Sequence, residues 1–299
     1  MANRIKNTIK RKIRKHSFLR ELKARPQTNE GVVNIHRIDT RNAGDLFCAP
    51  HQYFEELKGK GLDIFDYKRE DKKVRQDFID AISSNSLIIG GGGLLNRNGF
   101  KLQMKAFEAL HTTKKKTVLW GVGHNEKSPK TYGKVSAYNV NLEHFGLVGT
   151  RDYTMPGDYV PCVSCLHPLL DQTYNETQEY GIIFHKDTLK KSEIVSRFKD
   201  YPSTSNTTDI EHIIKFIGSS QKVITDSYHA MYWSMLLGKK VVVIPNSSKF
   251  FDLKYLPIIS TFEEALDAFA KAETFPHLLE ESRAINRNFA AKVFDYLNL

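Results

Sequence analysis

Disulfide-forming residues are scarce in this chain of 299 residues: it has three cysteines, Cys48, Cys162 and Cys165. That is too few for a disulfide framework and suits a reducing compartment. No apolar run approaches the roughly 20 residues that a membrane-spanning helix needs. The start, MANRIKNTIKRKIRKHSF, is positive but lacks the apolar core of a secretory signal, so the expected compartment is the cytoplasm. Neither GxGxxG nor a P-loop occurs, since no Gly-Lys-Ser/Thr follows the run of four glycines. Cys162-x-x-Cys165 has no second pair, and His167 stands one residue too far along for CxxCH. No metal is expected.

Acid is nearly missing from one stretch. Residues 1–25 hold ten Lys or Arg and one acid, Glu21, which accounts for +9 of a net charge of +10. The remainder is close to neutral, so the protein is not generally basic. Ile5, Ile9, Ile13, Phe18 and Leu22 recur at helical spacing among these cations. The pattern predicts a basic helical arm over 1–26 that docks on an anionic membrane surface, each cation there being worth about 1 kcal/mol. A solvated helix or a disordered tail is the plainer alternative. Nucleic acid is not expected as a partner, because nothing downstream looks like a base-reading module.

Beyond PQTNEG, short apolar strands alternate with helical stretches, the pattern of parallel βαβ units. Val32, Val33 and Ile35 predict a strand that runs into the loop RIDTRNAGD. A helix is expected from there through Tyr53 and Leu57, with Pro50 in its first turn. SLIIGGGGLLN predicts a buried strand stopped by Gly90 to Gly93. A helix over 101–111 and strands TVLWGVGHN and LVGTRD follow. In the second half YGIIFH is a strand, KKSEIVSRF and DIEHIIKFIGSS are helices, and Lys222–Pro245 reads strand, helix, strand. EEALDAFAKA and Leu278–Leu299 complete the helices. The chain thus divides into the arm, a domain over 27–172 and a domain over 178–299, the last helix packing back on the first domain. Two such α/β domains place a cleft at the carboxyl ends of their strands.

The candidate chemistry gathers at those ends. Four glycines after a strand allow close backbone approach and offer amide donors, and Gly91, Gly92 and Gly93 are candidates for packing against a sugar. A tight turn into a helix, with no ligand, explains them equally well. WGVGHN ends in His124 and Asn125, and RNAGD supplies Asn42 and Asp45. Asp45 and His124 are candidate bases, or ordinary turn and capping residues. Arg151 follows a strand directly and suits a carboxylate or phosphate through a bidentate fork, unless it pairs with Asp152. In VITDSYHAMYW, Thr225 or Asp226 is placed to cap a helix whose first turn holds His229. The positive helix terminus biases that imidazole toward neutrality, and a bound anion pushes it back, making it a candidate general acid. Ser227 and the amides around it, Tyr228, and Lys249 after the next strand complete an anion site.

Taken in order, RNAGD (41–45), IIGGGGLL (88–95), WGVGHN (120–125), GTRD (149–152), VPCVSC (160–165), the ITDSYHAMYW segment (224–245) and SKF (248–250) resemble the polysaccharide pyruvyl transferase family. The resemblance covers roughly residues 31–250. It implies a GT-B-like fold, two Rossmann-like domains facing across a cleft. It also implies transfer of a pyruvyl group from phosphoenolpyruvate to two hydroxyls of a sugar in a cell-surface polysaccharide or its lipid-linked precursor, forming a ketal. Phosphoenolpyruvate is then a donor substrate, and no cofactor is implied. On this reading Arg151, Ser227, Tyr228 and Lys249 bind the donor. Asn42, Gly91, Gly92, Gly93 and Asn125 hold the acceptor at the inner face of a membrane, while His229, Asp45 and His124 move protons. Many members carry Arg-Leu-His where this chain has Ser227-Tyr228-His229, so Lys249 or the helix amides take that arginine's place, or the donor differs. The rivals are a nucleotide-sugar glycosyltransferase on the same scaffold and a non-catalytic glycan- or lipid-binding relative.

Overall fold

The computed structural model describes residues 2–299, with side chains described from residue 13 onward. Ile5 and Ile9 of the predicted stripe lie outside the residues whose side chains are described. In chain order the first half runs α1 (Ala2–Ala24), β1 (Val32–His36), α2 (Ala43–Phe47), β2 (Gly61–Asp63), α3 (Lys72–Ser84), β3 (Ser86–Ile89), β4 (Gly92–Leu95), α4 (Lys101–Glu108), β5 (Thr117–His124), β6 (Leu147–Thr150) and β7 (Asp158–Tyr159). The second half adds β8 (Gln178–Phe184), α5 (Ser192–Arg197), β9 (Ser203–Ser205), α6 (Ile210–Gly218), β10 (Ser220–Thr225), α7 (Tyr228–Leu236), β11 (Lys240–Val243), β12 (Ile258–Ile259) and α8 (Leu278–Leu297). No helix among the described residues is long and apolar enough to cross a membrane.

The strands form two sheets, and every pairing is parallel. The first has the order β2-β1-β3-β5-β6-β7, with β4 also on β5; the second has the order β12-β11-β10-β8-β9. The protein is therefore α/β. Central strands are buried on both faces, which is why they read as unbroken apolar runs in place of alternating ones. The period of two still sorts their side chains. Val33, Ile35, Leu87, Ile89 and Leu119 join a core with Phe78 of α3 and Phe107 of α4. Val32, Ile88, Val118 and Trp120 meet Phe289, Ala290 and Val293 of α8. The final helix thus covers one face of the first sheet. In the second sheet Ile183, Val223 and Val241 pack with α6 and α7, and Ile182, Ile224 and Val242 pack with Phe198 and Phe269.

Several expectations are corrected. The single helix from RNAGD through Leu57 is instead α2 followed by two short 3-10 turns, Pro50–Gln52 and Glu55–Leu57. Pro50 holds Ala49 in extended backbone, which ends the first winding. The four glycines do not lead into a helix: Gly92 and Gly93 open β4, which pairs with β5. EEALDAFAKA winds as a 3-10 turn, Asp267–Lys271, that still buries Ala265, Phe269 and Ala272. The short strands β2, β9 and β12 were not legible as apolar runs.

The arm is helical, but its second half is not free of the body. Phe18 and Leu22 are buried in the core beside Tyr67, Phe78 and Ile79. Arg14 donates to the Lys68 carbonyl at 2.9 Å, and Arg25 pairs with Asp80. Ile13 points outward, 61% exposed, so the apolar residues of the arm do not share one destination.

Candidate active site

The loops leaving the carboxyl ends of both sheets converge on two adjoining pockets. The smaller, about 330 Å³, is walled by Asp45 after β1, Arg151 after β6, His185 after β8, Asn206 after β9, Ser227, Tyr228 and His229 after β10, and Lys249 after β11. The larger, about 720 Å³, takes in Gly91, Gly92 and Gly93 with Arg37, Arg97, Lys127 and Lys186. Asn42, Asp45, Gly93, Asn125, His185 and Lys249 border both.

Arg151 is only 2% exposed, and its guanidinium lies 3.9 Å from the centre of the Tyr228 ring. Its Nε and Nη1 have no hydrogen-bond partner. Asp152 does not supply one: its Oδ2 accepts from the His124 amide (2.7 Å) and from Tyr138 (2.9 Å). Gly123 leaves the room, since a Cβ there would come within 2.7 Å of Arg151 Nε. An arginine buried with two free donors is costly unless an anion completes it.

His229 is the second residue of α7 and is buried, its Nε2 without a partner. Gly44 lies against its other nitrogen, where a Cβ would stand 2.0 Å from Nδ1. Burial first, then the charges of Arg151 and Lys249, hold its pKa well below the usual histidine range. It is neutral in the resting protein, and an anion beside it would reverse that bias. Ser227 starts the helix without a side-chain cap, leaving the amides of Tyr228, His229 and Ala230 without intrahelical acceptors. Neither Thr225 nor Asp226 caps α7. Thr225 donates to the Ile183 carbonyl (2.6 Å), and Asp226 accepts from the His185 amide (2.6 Å) and Thr188 (2.5 Å). Both are used to tie β10 to β8.

Asp45 accepts from Asn42 Nδ2 at 2.9 Å. Burial raises its pKa against the pull of Lys249. The Lys249 ammonium is pushed down to about 7 by burial and by Lys127 and Arg151, with Asp45 opposing. Asn42 also joins the two sheets' loops: its Oδ1 accepts from Asn206 Nδ2 (3.2 Å), and the Ala43 amide donates to the Asn206 carbonyl (3.1 Å).

His124 stands apart from the other sequence candidates. It lines neither pocket; Nδ1 lies 2.7 Å from Ser248 Oγ, and Nε2 is 3.9 Å from carboxylates of both Asp152 and Asp252. Burial lowers its pKa to about 4. It sits behind the wall, linking β5 to the turn that carries Lys249. Asn125 does reach both pockets and donates to the Gly93 carbonyl at 3.3 Å. Gly91 packs on the backbone of Cys48, where a Cβ would be 2.1 Å from the carbonyl oxygen.

Sequence reasoning missed His185, Asn206, Arg37, Arg97, Lys127 and Lys186. His185 was visible as the polar end of YGIIFH; Arg97 and Lys127 each follow a chosen motif by one or two residues. Cys162 and Cys165 are buried structural residues, their thiols pushed up chiefly by burial. The 3-10 turn carrying them is fastened by Tyr232 to the Cys162 carbonyl (3.0 Å), Trp233 to Ser164 (3.0 Å) and Arg283 to the Cys165 carbonyl (2.9 Å).

Residues 170–248 match the family model described as polysaccharide pyruvyl transferase. That match supports the resemblance drawn from the motifs, and it contains Ser227, Tyr228 and His229. No curated protein matches the chain.

Proposed function

We propose that this protein moves a pyruvyl group from phosphoenolpyruvate to two hydroxyls of a sugar, as a GT-B-like enzyme whose donor pocket lies at the start of α7. The observation that carries the proposal is a pair of unsatisfied buried groups in one small pocket: Arg151 Nε and Nη1, and His229 Nε2. Lys249 and the free amides of α7 supply the further positive charge that a phosphate and a carboxylate require. They do so without the arginine that many family members carry where Ser227 stands.

In this mechanism His229, protonated once the anionic donor is seated, gives its proton to the methylene carbon. C2 becomes an oxocarbenium-like centre, and the first sugar hydroxyl attacks it while Asp45 takes that proton. The C2–O bond to phosphate then breaks, the electron pair leaving with phosphate, which carries away the proton held by Asp45. The second hydroxyl attacks C2 and its proton restores His229. Atoms balance: two hydroxyl protons appear as one on the new methyl group and one on phosphate. Arg151 and Lys249 offset the charge throughout. The acceptor occupies the larger pocket, beside Gly91, Gly92, Gly93, Asn42 and Asn125. The basic arm holds the enzyme at an anionic membrane face.

Phosphate release from phosphoenolpyruvate, with candidate glycans present or absent, tests the proposal. Acceptor-dependent release is expected, with His229→Ala reducing it by about 10²–10⁴-fold. Release of free nucleotide from a nucleotide sugar, with none of phosphate from phosphoenolpyruvate, would replace it with a glycosyltransferase.

A further inference from the structure

The larger pocket carries more positive charge than a donor in the smaller one can use. Arg37, Arg97, Lys127, Lys186 and Lys249 border it, against Asp45 and Asp187. Two of these cations are already matched. Arg37 donates to Asp63 at 2.6 Å, and Lys186 donates to Asp39 at 2.6 Å. Lys249 faces the donor side. Arg97 and Lys127 are left, and their situation is unusual. The Arg97 side chain makes no hydrogen bond or ion pair among the described residues. Lys127 donates only to a neutral partner, the carbonyl and side-chain oxygens of Asn246, each at 3.2 Å. The two follow neighbouring strands of the first sheet, β4 and β5, and they repel: the charge of Arg97 adds to burial in weakening the hold of Lys127 on its proton, with Asp187 and Asp226 opposing. Two like charges brought together, neither bonded to a carboxylate, are poised for an anion.

The pocket also has a direction. Asp45, the base for the acceptor hydroxyl, borders both pockets, whereas Arg97 and Lys127 border only the larger. A sugar reaching Asp45 with one end presents its other end to the pair. We propose that Arg97 and Lys127 seat a phosphate ester carried by the acceptor, so that the enzyme selects phosphorylated glycans over neutral ones. This rests on the pyruvyl-transfer reading, which places the donor next door.

Calorimetric titration with inorganic pyrophosphate, on wild type already saturated with phosphoenolpyruvate, reads the second anion site. Pyrophosphate is expected to bind without displacing the donor. The Arg97→Gln, Lys127→Gln double variant should bind it roughly tenfold or more weakly, while its affinity for phosphoenolpyruvate, measured about one pH unit below the Lys249 pKa so that Lys249 is charged in both proteins, stays within about twofold. Pyrophosphate that only competes with phosphoenolpyruvate, or that binds the double variant as well as wild type, overturns the inference and leaves the donor assignment standing. Uridine diphosphate binding far more tightly than pyrophosphate, with the same sensitivity to the double variant, overturns it in favour of a nucleotide. Failure of phosphoenolpyruvate to bind at all sinks the pyruvyl-transfer reading and this inference with it.

Discussion

At the scale of the residue, Lys249 is the group whose charge is most easily lost. Its pKa is lowered to about 7, so it is cationic below that pH and neutral above. If it replaces the missing arginine at the donor, kcat/KM for phosphoenolpyruvate should hold steady below about pH 7 and decline above it. Lys249→Arg keeps the charge at any pH and should remove that decline. A decline that survives the substitution would assign the alkaline limb to another group. Arg151, His229 and Lys249, which line one pocket, stood out as candidates in the sequence because each follows an apolar strand in a segment with its own glycine or helix signal. His124 had the same signature, and only packing distinguishes it: its partner Ser248 lies 124 positions away in the chain. Asn206 carried no pattern at all, and His185 only that of the polar end of a strand, which is ordinary.

At the scale of the element, α2 and α7 meet through one missing side chain. Gly44, in the short helix after β1, has His229 where a Cβ would go. Gly44→Ala therefore must move the imidazole, and displacements of this order cost about 10²-fold in rate when they reach the reacting group. Turnover should drop by about that factor, and in a His229→Ala background the same change should add almost nothing. A full additional loss in the double variant would mean that Gly44 acts elsewhere. The sequence made the strands and long helices plain through buried apolar runs, but it could not show that the glycines after β3 open a further strand. Glycine permits both conformations, and the partner that decides between them, β5, pairs Gly92 with Val122, about 30 residues downstream. The broken helix after Phe47 follows the same logic, with Pro50 tolerated at a helix start yet ending the one before it.

At the scale of the whole molecule, burial of histidine sets the acid limit of stability. His36, His51, His124, His167, His185 and His229 are all held below the usual histidine pKa, chiefly by burial, with His36 at about 3 and His124 and His185 at about 4. The unfolded chain binds protons at these residues from about pH 6.5 downward and the folded one does not, so their contribution is complete above 6.5 and is lost as pH falls toward 4. Asp152, raised to about 7 by burial, and Asp45, Asp63 and Asp226, also raised by burial, work in the opposite direction across that range. The six histidines outnumber these four carboxylates. Melting temperature should therefore fall steadily between pH 6.5 and 4, and His36→Asn should shallow the slope; an unchanged or rising melting temperature would contradict this balance. The division of the chain into two sheets was legible from its two sets of βαβ signals. The docking of Phe18 and Leu22 was not, because a helix of alternating cations and isoleucines gives no hint that one end is covered.

On the proposed reading, the free donors of Arg151 await the anionic groups of phosphoenolpyruvate. Equilibrium titration of phosphoenolpyruvate into wild type, Arg151→Lys and Arg151→Met, with no acceptor present, tests it most directly. Wild type should bind, Arg151→Lys should bind more weakly because the fork is lost, and Arg151→Met should lose roughly a hundredfold in affinity. Equal binding by all three proteins, or none by wild type, would contradict the account.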